Sequence, residues 1–326
     1  DSTYFGTELY SNANPASATF NFAPDFFWIK SRGGNYSHML FDRVRGIDQP
    51  NDYYLSTNTT DAQVTSTNRF SLSADGKTMT IPQGSNSFNS AAGSPYVVWG
   101  WKSGGAAVSG AASGFTNVTK SVNSNGGFSI VKFTRPSGTW AVGTTYEHGL
   151  SSAPKLSIVK DITDADNWYV YSEPTGTSNY LVLNDAGAKI NFALFPTVDG
   201  TSIGYRPASF IGNAKDHISY NFCDVTGVQK IDSYSGNAAS GSGTTQAIVT
   251  GFKPSWIMVK NITSGSSQWV ITDSTRGLTK ELYPDLVNLE NTDSSGIQSF
   301  NSNGFTVGNA FNFNRSSNDY LYLAIA

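Results

Sequence analysis

FKPSWIMVK, residues 252–260, decides how this chain reads. Two degenerate copies precede it, FAPDFFWIK at 22–30 and SAPKLSIVK at 152–160. Each holds a Pro, five mostly apolar residues, then a Lys six positions after the Pro: Pro24/Lys30, Pro154/Lys160 and Pro254/Lys260. Pro has a fixed φ and no N–H, which suits the first residue of a strand. The run behind it is short and rich in β-branched and aromatic residues, so it reads as a buried strand rather than a helix.

Working outward, each copy is entered through an aromatic residue and a small polar loop, at 10–22, 133–150 and 234–252. Each is left through a polar turn into another strand: HMLFD at 38–42, WYVYS at 168–172, WVITD at 269–273. Strands joined by short Gly/Asp/Ser/Asn turns make hairpins. A run ending near Asn follows, at Asn58, Asn184 and Asn288, and each unit closes on an apolar strand: YVVWGW at 96–101, HISYNF at 217–222, YLYLAIA at 320–326. The period of about 100 residues is that of a whole small β-domain rather than a solenoid repeat.

This pattern predicts an all-β chain of three tandem antiparallel β-sandwich repeats of jelly-roll or lectin-like type. The expected boundaries are 1–104, 127–225 and 226–326, with 105–126 as a Gly/Ala/Ser-rich linker. A short helix is possible over 278–289, with Pro284 in its path.

Composition narrows the function. Charged residues are 14% of the 326 and formal net charge is −3, with no Lys/Arg run, so nucleic-acid binding lacks an electrostatic footprint. No apolar stretch approaches the ~20 residues of a membrane helix. The chain opens on Asp1 without a Met, which reads as processed or as part of a longer chain. Cys223 is the one cysteine, so no internal disulfide forms.

Candidate chemistry is sparse. Residues 200–204 spell G-x-S-x-G around Ser202, and Asp216 and His217 follow in hydrolase order, but the strand–turn–helix context of a nucleophile elbow is missing. Asp42 and Asp273 resemble a glycosidase pair, yet they occupy matching places in two repeats and are expected in separate domains. Each stands three residues before an Arg, Arg45 or Arg276, so an Asp–Arg bridge fixing a turn is the expected role. His38, His148 and His217 lack metal spacing. Asp161, Asp164, Asp166 and Asn167 form an oxygen-rich turn without EF-hand spacing. No metal or cofactor is expected. Lys30, Lys160 and Lys260 read as side chains snorkelling at strand ends, with an isopeptide bond to Asn58, Asn184 or Asn288 as the less favoured alternative. Trp140, in a Gly/Thr loop, is the best candidate for an exposed sugar-stacking platform.

Three motifs carry a resemblance. They are F-x-P-[DS]-[FW]-x-[WM]-[IV]-K, then D-x-[VT]-R-G at 42–46 and 273–277, then FNSNGFTVG at 300–308 followed by YLYLAIA. Together they resemble an uncharacterised repeat found in virion proteins of marine tailed bacteriophages, including cyanophages. The resemblance spans the chain in three copies, weakest in the second, where Ser172-Glu173-Pro174 replaces the start of D-x-[VT]-R-G. It implies a fibre or surface-exposed decoration protein on the virion, meeting other virion proteins and a host surface glycan, with a homotrimer as the expected assembly. A carbohydrate-binding module of a larger extracellular protein is the alternative, and a depolymerase is weaker.

Overall fold

The computed structural model describes residues 3–47, 51–67, 70–137, 143–206, 214–239 and 243–326. Among these, all regular structure is strand apart from one 3-10 turn at Glu173–Thr175, and every strand pair with a stated register is antiparallel. Residues 278–289 form no helix; they hold the two-residue strand Lys280–Glu281 and irregular chain.

Three main sheets share one strand order. In the first, Phe5–Tyr10, Tyr96–Trp101, Phe26–Ser31 and Met39–Asp42 lie side by side. In the second, the consecutive strands are Phe128–Arg135, Lys215–Phe222, Leu156–Asp161 and Trp168–Ser172. In the third they are Gln229–Ser235, Asp319–Ile325, Trp256–Asn261 and Val270–Asp273. Register repeats too: Phe26 faces Trp101, Leu156 faces Phe222, and Trp256 faces Ile325. The three Pro–Lys stretches thus supply an inner strand of each sheet.

Smaller sheets cover one face of each main sheet, and the strand Ala16–Thr19 with its partners Thr78–Ile81 and Ser71–Leu72 is one such cover. The other faces meet one another. Phe26, Trp28, Trp99 and Trp101 share a single core with Phe128, Ile158, Tyr220 and Phe222, and with Trp256, Met258, Leu323 and Ile325. Rings from all three sheets touch: Phe26 lies 4.7 Å from Tyr220 and Trp101 lies 5.6 Å from Trp256, centroid to centroid. Such pairs add about 0.5–1.5 kcal/mol each beyond the area they bury. Inner strands are therefore buried on both faces, as all six residues of Phe26–Ser31, Leu156–Asp161 and Trp256–Asn261 are.

The expected linker at 105–126 is not one. It contains Val108–Ser109, Ala112–Ser113 and the eight-residue strand Thr116–Asn123, which pairs with Phe128–Arg135 and widens the second sheet. The β-branched residues of TNVTKSVN outweigh the small residues around them, and Val118 and Ser121 are buried. The start of the stretch is pinned as well: the N–H groups of Ser103, Gly104 and Gly105 all donate to Asp25 Oδ2, at 2.8, 2.9 and 3.1 Å.

Candidate functional site: the junction of the three sheets

After its outermost main-sheet strand, each third of the chain sends out a hairpin arm. The arms are built on Asn51–Tyr54 with Val64–Thr67, Asn179–Val182 with Ile190–Asn191, and Lys280–Glu281 with Asn291–Thr292. Each arm hydrogen-bonds to the next sheet. From the first arm, Ser56 O accepts Trp168 Nε1 (3.0 Å), Thr60 O accepts Lys160 Nζ (3.1 Å), and Gln63 N donates to Ile162 O (3.1 Å). From the second, Val182 O accepts Trp269 Nε1 (2.9 Å), Ala186 O accepts Ser267 N (3.2 Å), and Lys189 N donates to Ile262 O (3.1 Å). From the third, Tyr283 O faces His38 Nε2 (2.9 Å), Val287 O accepts Lys30 Nζ (3.0 Å), and Glu290 N donates to Arg32 O (3.1 Å). The third arm returns to the first sheet, so the junction is a closed ring.

The ring fixes the state of its histidine. Trp28 Nε1 donates to His38 Nδ1 at 2.8 Å, so the proton sits on Nε2, which donates to Tyr283 O. Burial, with Lys30 next, pushes the His38 pKa well below its ordinary value and keeps the ring neutral.

The three lysines do not snorkel. Lys30, Lys160 and Lys260 are fully buried, and burial lowers their pKa to about 7, about 8 and about 8. Each ammonium's hydrogen bonds go to carbonyls: Ser31 O and Asp161 O, at the ends of their own strands, for Lys30 and Lys160, and Ser267 O, in the polar turn, for Lys260. Nor do the asparagines offer them an isopeptide partner. Asn58 Oδ1 accepts His38 N at 2.9 Å and Asn184 Oδ1 accepts Trp168 N at 2.8 Å, while their amides donate to Ser37 and Asn167. The counterpart in the third arm is Asp285, three residues past Leu282 as Asn58 is past Leu55; the expected Asn288 lies further out and exposed.

Asp42 and Asp273 are buried at 0% exposure and make the same bonds. Asp42 Oδ1 accepts Arg45 N at 2.8 Å, its Oδ2 takes Arg45 Nε, and Arg45 Nη2 donates to Leu40 O at 3.0 Å. Asp273 Oδ1 accepts Arg276 N at 2.8 Å, its Oδ2 takes Arg276 Nε at 2.5 Å, and Arg276 Nη2 donates to Ile271 O at 3.0 Å. The expected turn-fixing bridges are present. The carboxylates are not isolated in separate domains, however. Tyr220, from the second sheet, donates its hydroxyl to Asp42 Oδ2 at 2.8 Å, and Trp99, from the first, donates Nε1 to Asp273 Oδ2 at 3.0 Å. Sequence reasoning missed both donors, whose signal was a polar-tipped aromatic in an otherwise apolar closing strand. The second sheet carries the exception that explains the rule. There Ser172 and Thr175 replace the Asp–Arg pair and bond to each other at 2.9 Å, and Leu323 stands at the register position of Tyr220 and Trp99. Where the buried charge is absent, so is its donor.

The remaining candidates separate. Ser202 bonds to Asp199 in a small outer sheet, while His217 lies in the main sheet stacked on Phe133. Asp161 Oδ1 accepts the N–H groups of Thr163 and Asp164, and Asp166 accepts from Asn167 N and the Tyr169 hydroxyl. Among the described residues, no three His, Cys, Asp or Glu side chains gather to hold a metal ion. No described helix is long and apolar enough to cross a membrane. Trp140 lies outside the described residues. One open cleft, of about 280 Å³, lies between the first and third sheets; Thr7, Glu8, Asn21, Ser255 and Thr275 line it beside Phe20 and Phe22.

A family described as a domain of unknown function (DUF7483) matches residues 1–326, and the chain belongs to it. No curated protein matches the sequence.

Proposed function

We propose that this chain is a non-enzymatic architectural protein of a bacteriophage virion, a fibre or surface-exposed decoration component that serves attachment or particle stabilisation. We infer further that it is three tandem copies of one antiparallel β-sandwich. The common strand order, the equivalent arms and the repeated Asp–Arg turns support that inference. One observation carries the functional reading: the residues that recur spend their polar atoms on architecture, Lys30 and Lys160 on carbonyls of a neighbouring arm, Asp42 and Asp273 on donors from a neighbouring sheet, and Lys260, Arg45 and Arg276 on their own turns. The phage assignment rests on the motif resemblance, which also implies virion partners and a homotrimer.

Immunogold labelling of intact particles, with light scattering of the purified chain, tests the reading. Label on the particle surface is expected. Absence from particles, or turnover of a host polysaccharide by the purified chain, overturns it. A second reading, binding of a surface glycan as a module of a larger extracellular protein, is favoured by the cleft beside Glu8, where hydroxyl, amide and carboxyl groups meet aromatic walls. A glycan array with Glu8→Ala and Thr275→Ala variants distinguishes it.

A further inference from the structure

Two of the three seams join thirds of the chain that are also consecutive in sequence. The third arm instead closes the ring between the last third and the first, and its contacts are the non-covalent join. It is also built differently. At the hairpin root, Tyr54 faces Val64 in the first arm and Tyr180 faces Ile190 in the second, but Glu281 faces Asn291 in the third. At the arm's turn, Asn58 and Asn184 give way to Asp285. Glu281 and Asp285 are 2% and 7% exposed. Glu281 Oε2 accepts the Tyr283 hydroxyl at 2.8 Å, and its Oε1 makes no full hydrogen bond. Neither oxygen of Asp285 reaches full hydrogen-bond geometry, although the backbone N–H groups of Asp285 itself and of Trp269 act on it favourably.

We propose that the third arm is a proton-operated latch, docked on the first sheet while Glu281 and Asp285 are protonated and released when they ionise. At 285 a neutral carboxyl costs little, because it resembles the amide of Asn58 and Asn184; at 281, where the other arms carry Tyr54 and Tyr180, a neutral carboxyl likewise places no charge in the buried root. An ionised one is a buried charge without enough donors. The charged and titratable groups facing each are few. Glu281 meets Tyr283, Asp293 and Arg276; Asp285 meets Lys260 and Asp185. On the docked face, Glu290 pairs with Arg32 at 2.8 Å and with Arg276 at 3.1 Å, and Lys30 and His38 hold the arm's carbonyls. Burial raises both carboxyls to about 7, so the transition falls near neutrality. Other acids of the arms differ: Asp61 and Asp185 are exposed, and buried Asp52 accepts Phe70 N at 2.9 Å.

Hydrogen exchange of the whole chain at pH 5.5 and 8.5, corrected for intrinsic rates, tests the latch. Protection of the Glu290 amide should fall at least about tenfold at the higher pH, one decade per unit of proton linkage. The equivalent Gln63 and Lys189 amides should change less than about threefold. In the Glu281→Gln/Asp285→Asn variant the fall should vanish. Lys30, still present there, loses its proton as pH rises and relieves its own burial, so any residual change runs towards more protection. Should the double variant misfold, Asp285→Asn alone copies the residue of the other arms and should at least halve the logarithmic change. Equal behaviour of all three arms, or a fall that persists in the variants, overturns the proposal.

Discussion

Tyr220→Phe removes one hydroxyl and no ring, so it isolates the bond that ties the second sheet to Asp42. The hydroxyl and the carboxylate are both buried, so water does not replace the lost donor. A hydrogen bond to a charged group contributes about 1.5–3 kcal/mol. Asp42 keeps the Arg45 N–H and guanidinium, which places the expected loss near the middle, about 2 kcal/mol. With an unfolding entropy of roughly 2.1 cal/mol/K per residue over 326 residues, that loss lowers Tm by about 3 °C. The decisive control imitates the second sheet. In an Asp42→Ser/Arg45→Thr background the turn should make the neutral bond seen between Ser172 and Thr175, and the phenol then has no anion to serve. There Tyr220→Phe should cost under about 0.5 kcal/mol, a coupling of roughly 1.5 kcal/mol or more. Equilibrium urea unfolding followed by tryptophan fluorescence and by far-UV circular dichroism reads all four corners of the cycle. If Tyr220→Phe costs the same in both backgrounds, the hydroxyl does not answer the buried charge and the coupling between sheets is wrongly assigned.

Stability should pass through a minimum near pH 7–8. Glu281 and Asp285 have folded pKa values above their unfolded ones, so their contribution is complete in acid and is lost as pH rises to about 7; Lys30, Lys160 and Lys260 have folded values of about 7, 8 and 8, below the unfolded one, so their burial penalty is relieved as pH climbs from there towards 10. Tm measured across pH 5–10 checks the dip, and a monotonic curve refutes it. Gly304→Ala should destabilise by more than about 2 kcal/mol, because a Cβ there would stand 1.9 Å from Ile248 O in a paired strand; denaturant titration reads it. Residues 224–326 expressed alone should lack a sharp near-UV spectrum and should bind a hydrophobic dye, since Trp256, Met258, Leu321 and Leu323 lose the neighbours that cover them. A cooperative, dye-free fragment would show that the common core is dispensable.

Much of the strand pattern was legible because local chemistry sets it. The Pro–Lys stretches are strands since Pro starts them and β-branched or aromatic residues fill them, and the D-x-x-R-G turns formed their bridges since a carboxylate three residues before an Arg meets both its N–H and its guanidinium. Several readings failed for want of long-range information, the separation of Asp42 and Asp273 into independent domains among them. Thr116–Asn123 was lost under Gly/Ala/Ser composition. The lysines looked like surface residues because nothing local says that another arm will cover them. Asn288 matches Asn58 and Asn184 by residue type, whereas spacing from Leu282 places Asp285 as their counterpart.

The common core itself left a trace that strand reading alone passes over. An antiparallel sheet with one solvated face alternates apolar and polar residues. FFWIK, YVVWGW, WIMVK and YLYLAIA do not alternate, so both faces of their sheets need cover. Each small outer sheet covers one face only. With three such sheets in one chain and no α-helix among the described residues to cap them, the economical arrangement is for the three uncovered faces to cover one another. That geometry also accounts for the polar exceptions. A charge placed at the edge of a core shared by three sheets is met in part by the Arg of its own turn, and its remaining lone pair faces a neighbouring sheet, from which Tyr220 serves Asp42 and Trp99 serves Asp273. A donor in one third of the sequence and an acceptor in another therefore serve each other, and the paired loss of both at Ser172 and Leu323 is what such a coupling produces.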